Sequence, residues 1–323
     1  MSILVYLEQT DGVVDEPSLQ ALTLARALAA GNGVQAVIAC NSLSQAPSAL
    51  GGHGVETLHV AGGATFATYA PRAVAEAIVE LARRLGSSVV AGPGTERGNE
   101  VLAHVAALTE LPFAANCIAA ELTGDGARVT RVRWGGSLLE EARVEGSPTL
   151  LTVQPHAVPV ERAGDSAPGV EAFTPAVSDA AQALRVVERL GDPGGGISLA
   201  DAKVVISAGR GAGSTEGFAG VEELAGLLGA AVGCSRAVTM AGWRPHTDQV
   251  GQTGTKIAPD LYIACGISGA TQHMAGCKGA KKILAINTDP QAPILSTADY
   301  AVIGDLHDVV PALSAAIRAA RGS

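Results

Sequence analysis

Residues 249–254 read Gln249-Val250-Gly251-Gln252-Thr253-Gly254, and after a short spacer come Gly266-Ile267-Ser268-Gly269-Ala270-Thr271-Gln272-His273. The second string follows an apolar run and leads into a predicted helix from Ala270. A strand, a glycine turn and a helix leave free backbone N–H groups and a positive helix end above the turn, so an anion is expected there. The first string adds a loop whose glycines permit tight turns and whose Gln249, Gln252 and Thr253 offer neutral hydrogen-bonding groups. Amides and hydroxyls without paired charges suit gripping a polar heterocycle rather than breaking a bond, and no catalytic residue is assigned.

These residues need a scaffold, and the second half of the chain supplies one. Apolar runs predict strands at 204–207, 231–234, 261–266, 283–286 and 300–303, with helices at 218–228, 270–277 and from 306 to about 318. The unusual polar residues fall at strand ends: Arg210 before Gly211, then Ser235 with Arg236, Ile267 with Ser268, Asn287, and Asp305 before Leu306. In an open parallel sheet the carboxyl ends share one edge, where ligands enter at the point at which strand order reverses. Arg210 could hold a pyrophosphate with its planar fork, and Asp305 or Asn287 a ribose or an adenine edge. Arg236 and His273 would put positive charge or strong donors near a ring. Together these residues describe a dinucleotide site.

The first half alternates in the same way. Strands are expected at 3–7, 34–39, 56–60 and 88–91, and helices at 19–28, 71–85 and 98–108, followed by strands at 128–134 and 149–153. The loop Gly92-Pro93-Gly94-Thr95-Glu96-Arg97-Gly98 lacks the Gly-Lys-Ser/Thr ending of a phosphate loop and is read as a turn. Arg131, Arg133 and Trp134 form a cationic and aromatic group that suits a solvated strand face or a partner surface. His53, His59, His104 and His156 have no nucleophile or carboxylate at telling spacing and are read as structural. Residues 158–175 are rich in Pro, Gly, Ser and charge, residues 180–190 pass from helix towards strand, and Gly191-Asp192-Pro193-Gly194-Gly195-Gly196 is the strongest linker signal. The expected architecture is α/β in two domains: 1–190, a βαβ-rich parallel-sheet domain, and 197–323, a doubly wound, Rossmann-like cofactor domain.

At 323 residues, two domains is the natural division. A formal charge of −9 without a basic run argues against nucleic acid or an anionic membrane as the main partner. The five cysteines are widely spaced, without CxxC pairs or a Cys/His cluster of zinc-site spacing, so reduced thiols and no metal are expected. With no basic leader and no apolar run long enough to cross a bilayer, a cytoplasmic, non-membrane-spanning protein is expected.

As strings, Ser207-Ala208-Gly209-Arg210-Gly211, Ser235-Arg236-Ala237, residues 249–254, Gly266-Ile267-Ser268-Gly269-Ala270 with Gln272-His273, Ala285-Ile286-Asn287, Asp289-Pro290, Ala298-Asp299-Tyr300 and Gly304-Asp305-Leu306 resemble the α subunit of electron transfer flavoproteins. The match is close over residues 205–313 and looser before them, where Trp134-Gly135-Gly136 sits at the family's aromatic-Gly-Gly turn. The resemblance implies non-covalently bound FAD that shuttles electrons rather than transforming a substrate. It places Arg210, Ser268 and the Gly266 turn at the pyrophosphate and Asn287 and Asp305 at the adenosine half. Thr253 would lie near flavin N5, Gln252 along the ribityl and ring edge, His273 at O2, and Ser235 and Arg236 beside the ring, where Arg236, Thr253 and His273 would tune the flavin towards added negative charge. It also implies a β subunit carrying AMP or a second FAD, acyl-CoA dehydrogenases as donors in fatty acid β-oxidation, and a quinone oxidoreductase as acceptor. Thr255 and Thr288 stand where the family often has Lys, and Ala208 where it has Gly. Two other readings use the same sheet: an NAD-dependent enzyme, with Asp289 as a ribose-binding acid about twenty residues past the turn, and a nucleotide-binding assembly subunit with no redox role.

Overall fold

A computed structural model of the protein describes residues 2–42, 50–134, 138–184 and 198–322, and the chain divides into two units, Met1–Leu190 and Gly191–Ser323. The glycine-rich run 191–196, the end of the 180–190 segment and Gly135-Gly136 lie outside the described residues.

In the first unit the elements are β1 (Ser2–Tyr6), β2 (Gln9–Thr10), β3 (Val13–Val14), α1 (Glu16–Ala29), β4 (Val34–Cys40), β5 (Val55–Gly62), α2 (Pro71–Leu85), β6 (Ser87–Pro93), α3 (Glu96–Thr109), β7 (Phe113–Thr123), β8 (Gly126–Arg133), β9 (Leu138–Glu145), β10 (Thr149–Val153), β11 (Gly169–Phe173) and α4 (Asp179–Gln182). Nine strands form one sheet in the order β11-β5-β4-β1-β6-β10-β7-β8-β9. The pairs from β11 to β7 are parallel, and β8 and β9 add an antiparallel edge. Both faces are covered because β1 is apolar on both: Ile3 and Val5 pack with Leu22 and Ala25 of α1, while Leu4 and Tyr6 pack with Ile78 of α2 and Leu102 of α3. Besides the short β2–β3 hairpin, three strands of this sheet depart from the sequence reading. β7 and β9 were not anticipated, and the Pro- and Gly-rich segment 158–175 contains β11, which pairs with β5.

The strand order reverses between β1 and β6, the place where a ligand crevice would be sought. Here it is filled from within. Thr95 Oγ1 donates to the buried Glu8 carboxylate, 2.9 and 3.0 Å from its two oxygens, and accepts the Gly98 N–H at 2.8 Å to cap α3. Beside it, the Thr152 hydroxyl donates to Asn99 Oδ1 at 2.7 Å and Asn99 Nδ2 donates to Asn116 Oδ1 at 3.1 Å. A carboxyl group thus sits where a phosphate loop would receive its anion, in accord with reading residues 92–98 as a turn. Arg131 and Arg133 share the single Glu140 carboxylate, at 2.8 and 3.3 Å, while Trp134 stays exposed.

The second unit contains β12 (Val204–Ala208), α5 (Ala219–Leu228), β13 (Ala231–Cys234), α6 (Arg236–Met240), β14 (Leu261–Cys265), α7 (Thr271–Cys277), β15 (Ile283–Asn287), β16 (Tyr300–Ile303) and α8 (Leu306–Arg321). Its five strands are all parallel, in the order β13-β12-β14-β15-β16. Alternate residues again bury opposite faces: Ile206, Ile263 and Ile286 meet α5 and α8 through Val221, Leu224 and Val310. Val205, Tyr262 and Ala264 meet Ile257, Cys277 and Ile294 on the other side. The reversal lies between β12 and β14, with Gly209 and Gly266 just beyond their ends.

All five cysteines are buried and free. Burial pushes the thiols of Cys117, Cys234 and Cys265 up to about 12 and that of Cys277 to about 11, and raises Cys40. Since the thiolate is the reactive form, alkylation of the folded chain should run at least ~100-fold slower than that of the urea-unfolded chain. Timed iodoacetamide labelling with mass spectrometry checks this; one cysteine labelling at the unfolded rate would contradict it.

Candidate functional site

The loops that follow β12 and β14 pack backbone against backbone. The Gly209 N–H donates to the Cys265 carbonyl at 2.9 Å and the Gly211 N–H to the Gly266 carbonyl at 3.3 Å. A Cβ on Gly209 would collide with the Gly266 carbonyl, and one on Gly211 would lie 2.8 Å from Gly266 Cα. Gly266 itself has φ +60, which lets the chain leave β14 and turn at once into residues 267–269. Ala208 is the last residue of β12 and is absent from the positive-φ residues, so Ala in place of Gly costs nothing there.

A cavity of about 360 Å³ opens at these strand ends, lined by Arg210, Ser235, Arg236, residues 249–253, residues 266–270, Gln272, His273 and Asn287. Gly209, Ala237, Asp289 and Ala292 complete its wall. Of these four, Gly209, Ala237 and Asp289 belong to the strings quoted above, Asp289 also as the ribose-binding acid of the NAD reading; nothing in the sequence marks Ala292. Four residues expected at the cofactor lie outside the lining. Gly211 and Leu306 support it from behind, since a Cβ on Gly266 would lie 2.9 Å from Leu306 Cδ2. Gly254 closes the 249–254 turn by donating its N–H to the Gly251 carbonyl at 3.2 Å. Asp305 caps α8, its Oδ1 accepting the His307 N–H at 2.9 Å.

The 249–254 loop is held at both ends. The Val250 N–H donates to the Cys234 carbonyl at 2.9 Å and the Gln252 N–H to the Gln272 carbonyl at 2.7 Å. Gln249 is buried: its Oε1 accepts from the Thr239 hydroxyl at 2.8 Å and its Nε2 donates to Thr253 Oγ1 at 3.1 Å. Gln249 thereby fixes the Thr253 hydroxyl with its hydrogen free to donate elsewhere. Asn287 ties two loops together, Nδ2 donating to the Ile267 carbonyl at 2.9 Å and Oδ1 accepting the Asp289 N–H at 3.0 Å.

Among the described residues three charged side chains line the cavity, Arg210, Arg236 and Asp289. Arg244, close by in sequence, is consumed by Glu222 at 2.5 Å and Asp248 at 2.7 Å and lies over the Phe218 ring. Among the described residues no ion pair or side-chain hydrogen bond engages the guanidinium of Arg210 or Arg236, and both are exposed at the wall. Two unmatched cations in a chain of net charge −9 favour an anionic occupant. Of the two alternatives expected for His273, positive charge or a strong donor, burial leaves the second. Burial lowers its pKa to about 4, so at neutral pH the ring is uncharged and acts only as a neutral hydrogen-bonding group. Its Nε2 lies 2.7 Å from the Tyr262 hydroxyl, while Nδ1 is buried without a partner of hydrogen-bond geometry.

Among the described residues no cluster of His, Cys, Asp and Glu could hold a metal ion, and no helix is long and apolar enough to cross a membrane.

Two family models match the chain: an electron transfer flavoprotein domain over residues 3–181 and an electron transfer flavoprotein FAD-binding domain over residues 198–278. Curated relatives named electron transfer flavoprotein subunit alpha include those of Mycobacterium leprae, 36% identical over 99% of both chains, and Thermoanaerobacterium thermosaccharolyticum, 33% identical over 96% of both. That of Bacillus subtilis is 31% identical over 97% of this chain and 96% of its own. Two solved thiamin diphosphate-dependent enzymes, from Mycobacterium smegmatis and Rhodococcus jostii, are 14% and 11% identical over 97% and 98% of this chain, which spans 59% of each; with TM-scores of 0.24 and 0.26 they carry no argument.

Proposed function

We propose, because this chain belongs to the electron transfer flavoprotein α-subunit family, that its second unit holds FAD in the crevice at the ends of β12 and β14 and carries electrons between partner proteins. The strand order, reversing between β12 and β14, supports reading this unit as a doubly wound, Rossmann-like fold. The observation that carries the placement is the pair of unmatched guanidiniums, Arg210 and Arg236, on the wall of one cavity with the orphaned His273 Nδ1. That donor set suits a dianionic pyrophosphate joined to a heterocycle rich in acceptors.

When bound, FAD supplies one- and two-electron redox chemistry that no side chain of this unit provides. Arg210, Ser268 and the N–H groups of residues 267–269 would bind the pyrophosphate, the Gly266 N–H being spent on the Ile286 carbonyl at 2.8 Å. Asn287 holds the turn in place and keeps one amide N–H for the adenosine half, beside the Asp289 carboxylate. Thr253, oriented by Gln249, and neutral His273 would donate to the ring system, with Gln252 along its edge and Ser235 and Arg236 flanking it. Arg236 would then be the one full charge of the chain near the ring, raising the flavin potential by favouring electron uptake.

The chain would act with a β subunit carrying AMP or a second FAD, taking electrons from dehydrogenases such as acyl-CoA dehydrogenases and passing them to a quinone oxidoreductase. No step of this role needs a catalytic side chain, which matches an electron carrier rather than an enzyme. In the complex with its β partner, Arg210→Ala should weaken FAD binding roughly tenfold at low salt and less at high salt. Arg236→Ala should lower the flavin reduction potential. Equilibrium FAD titration and a redox titration check the pair; unaltered affinity and potential in both variants would remove the guanidiniums from the site.

A further inference from the structure

Behind the cavity wall two buried rings meet. Tyr262, in β14, is fully buried, and its hydroxyl lies 2.7 Å from Nε2 of His273 in α7, with ring centroids 6.1 Å apart. His273 is 7% exposed and lines the cavity. Burial keeps the imidazole uncharged and raises the phenol, so both are neutral near pH 7. A neutral imidazole has one N–H, on one nitrogen only. Its position decides whether the ring offers a ligand a donor or an acceptor.

The neighbour of Nε2 decides it, because Nδ1 is buried with no partner of hydrogen-bond geometry. On the other side the phenol must place its proton in a dry interior, where a buried O–H without an acceptor is costly. Ser207 acts on the phenol from nearby, but its Oγ does not reach hydrogen-bond geometry, and the buried thiols of Cys234, Cys265 and Cys277 are weak acceptors. Nε2 is the acceptor within reach, so the phenol donates to it and the ring proton sits on Nδ1.

We propose that Tyr262 is a positioning residue that fixes His273 in the Nδ1–H tautomer, so that the ring presents a neutral N–H donor to the cavity's occupant. This rests on FAD as that occupant: Nδ1–H would meet an acceptor atom of the cofactor, which the Tyr262 bond pre-orients. A neutral donor also keeps its character when the surroundings are mildly acidified, whereas a histidine titrating near 6.5 would not.

The test is 15N NMR of ring-labelled histidine in the complex with its β partner, with and without FAD, for wild type and Tyr262→Phe. The expected wild-type spectrum shows His273 protonated at Nδ1 and unchanged from about pH 8 to about pH 5.5, with Nδ1 moving on FAD addition. In Tyr262→Phe the proton should redistribute to Nε2, and FAD affinity should fall about fivefold. A wild-type Nε2–H tautomer, or ring shifts unaltered by Tyr262→Phe, would overturn the proposal whatever FAD does. A tautomer that switches as expected while FAD leaves both ring nitrogens unmoved would instead overturn the placement of FAD beside His273, and with it the cofactor's share of the proposal. The wild-type spectrum decides the tautomer even if the variant does not fold.

Discussion

Gly276→Ala is expected to lower FAD affinity at least tenfold, although alanine is the better helix former by about 1 kcal/mol. Gly276 lies in the last turn of α7, and a Cβ there would collide with Gly251 N and Cα. The Gly251 loop cannot simply lift away, because it is strapped to the same helix. The Gln252 N–H donates to the Gln272 carbonyl and the Ile257 N–H to the Gly276 carbonyl, both at 2.7 Å. A methyl group wedged between them displaces the stretch that carries Gln249 and Thr253. A shift of an ångström there breaks the Thr253 orientation and narrows the cavity. FAD content of the purified complex and its dissociation constant measure the effect. A variant that binds FAD normally and unfolds at higher urea would mean that helix propensity, not the contact with Gly251, governs the site.

Glu8→Gln is expected to stabilise the first unit, increasingly so as pH rises. Glu8 is 6% exposed, and burial pushes its carboxyl from 4.5 up to about 7, opposed by the Thr95 hydrogen bond and by Arg97 and reinforced by Asp15. Tyr6 and Tyr69 also face this group and remain protonated. Because the folded value lies above the unfolded one, the folded unit keeps a proton that the unfolded chain has lost. Stability is full below about 4.5 and falls as pH rises through about 7. Glutamine preserves the shape without the ionisation. The variant's advantage should be small near pH 5 and reach about 2–3 kcal/mol near pH 8. Urea unfolding across that range checks it. A gap that does not change with pH, or a variant less stable near pH 8, would mean that Arg97 and the start of α3 hold Glu8 ionised.

Much of the second unit could be read from its residues because each strand is a short apolar run that stops at a glycine or a polar residue. Val204–Ala208, Leu261–Cys265 and Ile283–Asn287 are buried on both faces, so they appear as continuous runs. Their ends then carry Arg210, Ser268 and Asn287 to one edge. The first unit's nine-stranded sheet hid three strands for the opposite reason. β9, Leu-Leu-Glu-Glu-Ala-Arg-Val-Glu, is an edge strand with one buried residue, and four residues of β11 are exposed. β7 is rich in alanine and half-exposed, so it is held as a strand by β10 and β8 rather than by its own residues.

Within the site, residue types showed which groups could meet but not which were already engaged. His273 reads as a source of charge or of a strong donor, and only its burial beside Tyr262, eleven residues earlier, decides between them. Asp305 caps α8 outside the cavity lining, while Asp289 reaches the cavity wall two residues after Asn287. Local sequence cannot carry such distinctions, because each depends on a neighbour brought in by the sheet.

The most direct measurement is amide hydrogen exchange of the chain in complex with its β partner, compared with and without FAD. The account predicts protection of residues 249–254 and 266–273 on FAD addition, with the Glu8-filled turn at 94–98 unchanged. Protection at 94–98 with none at 266–273 would contradict it, and would move the cofactor to the first unit's sheet.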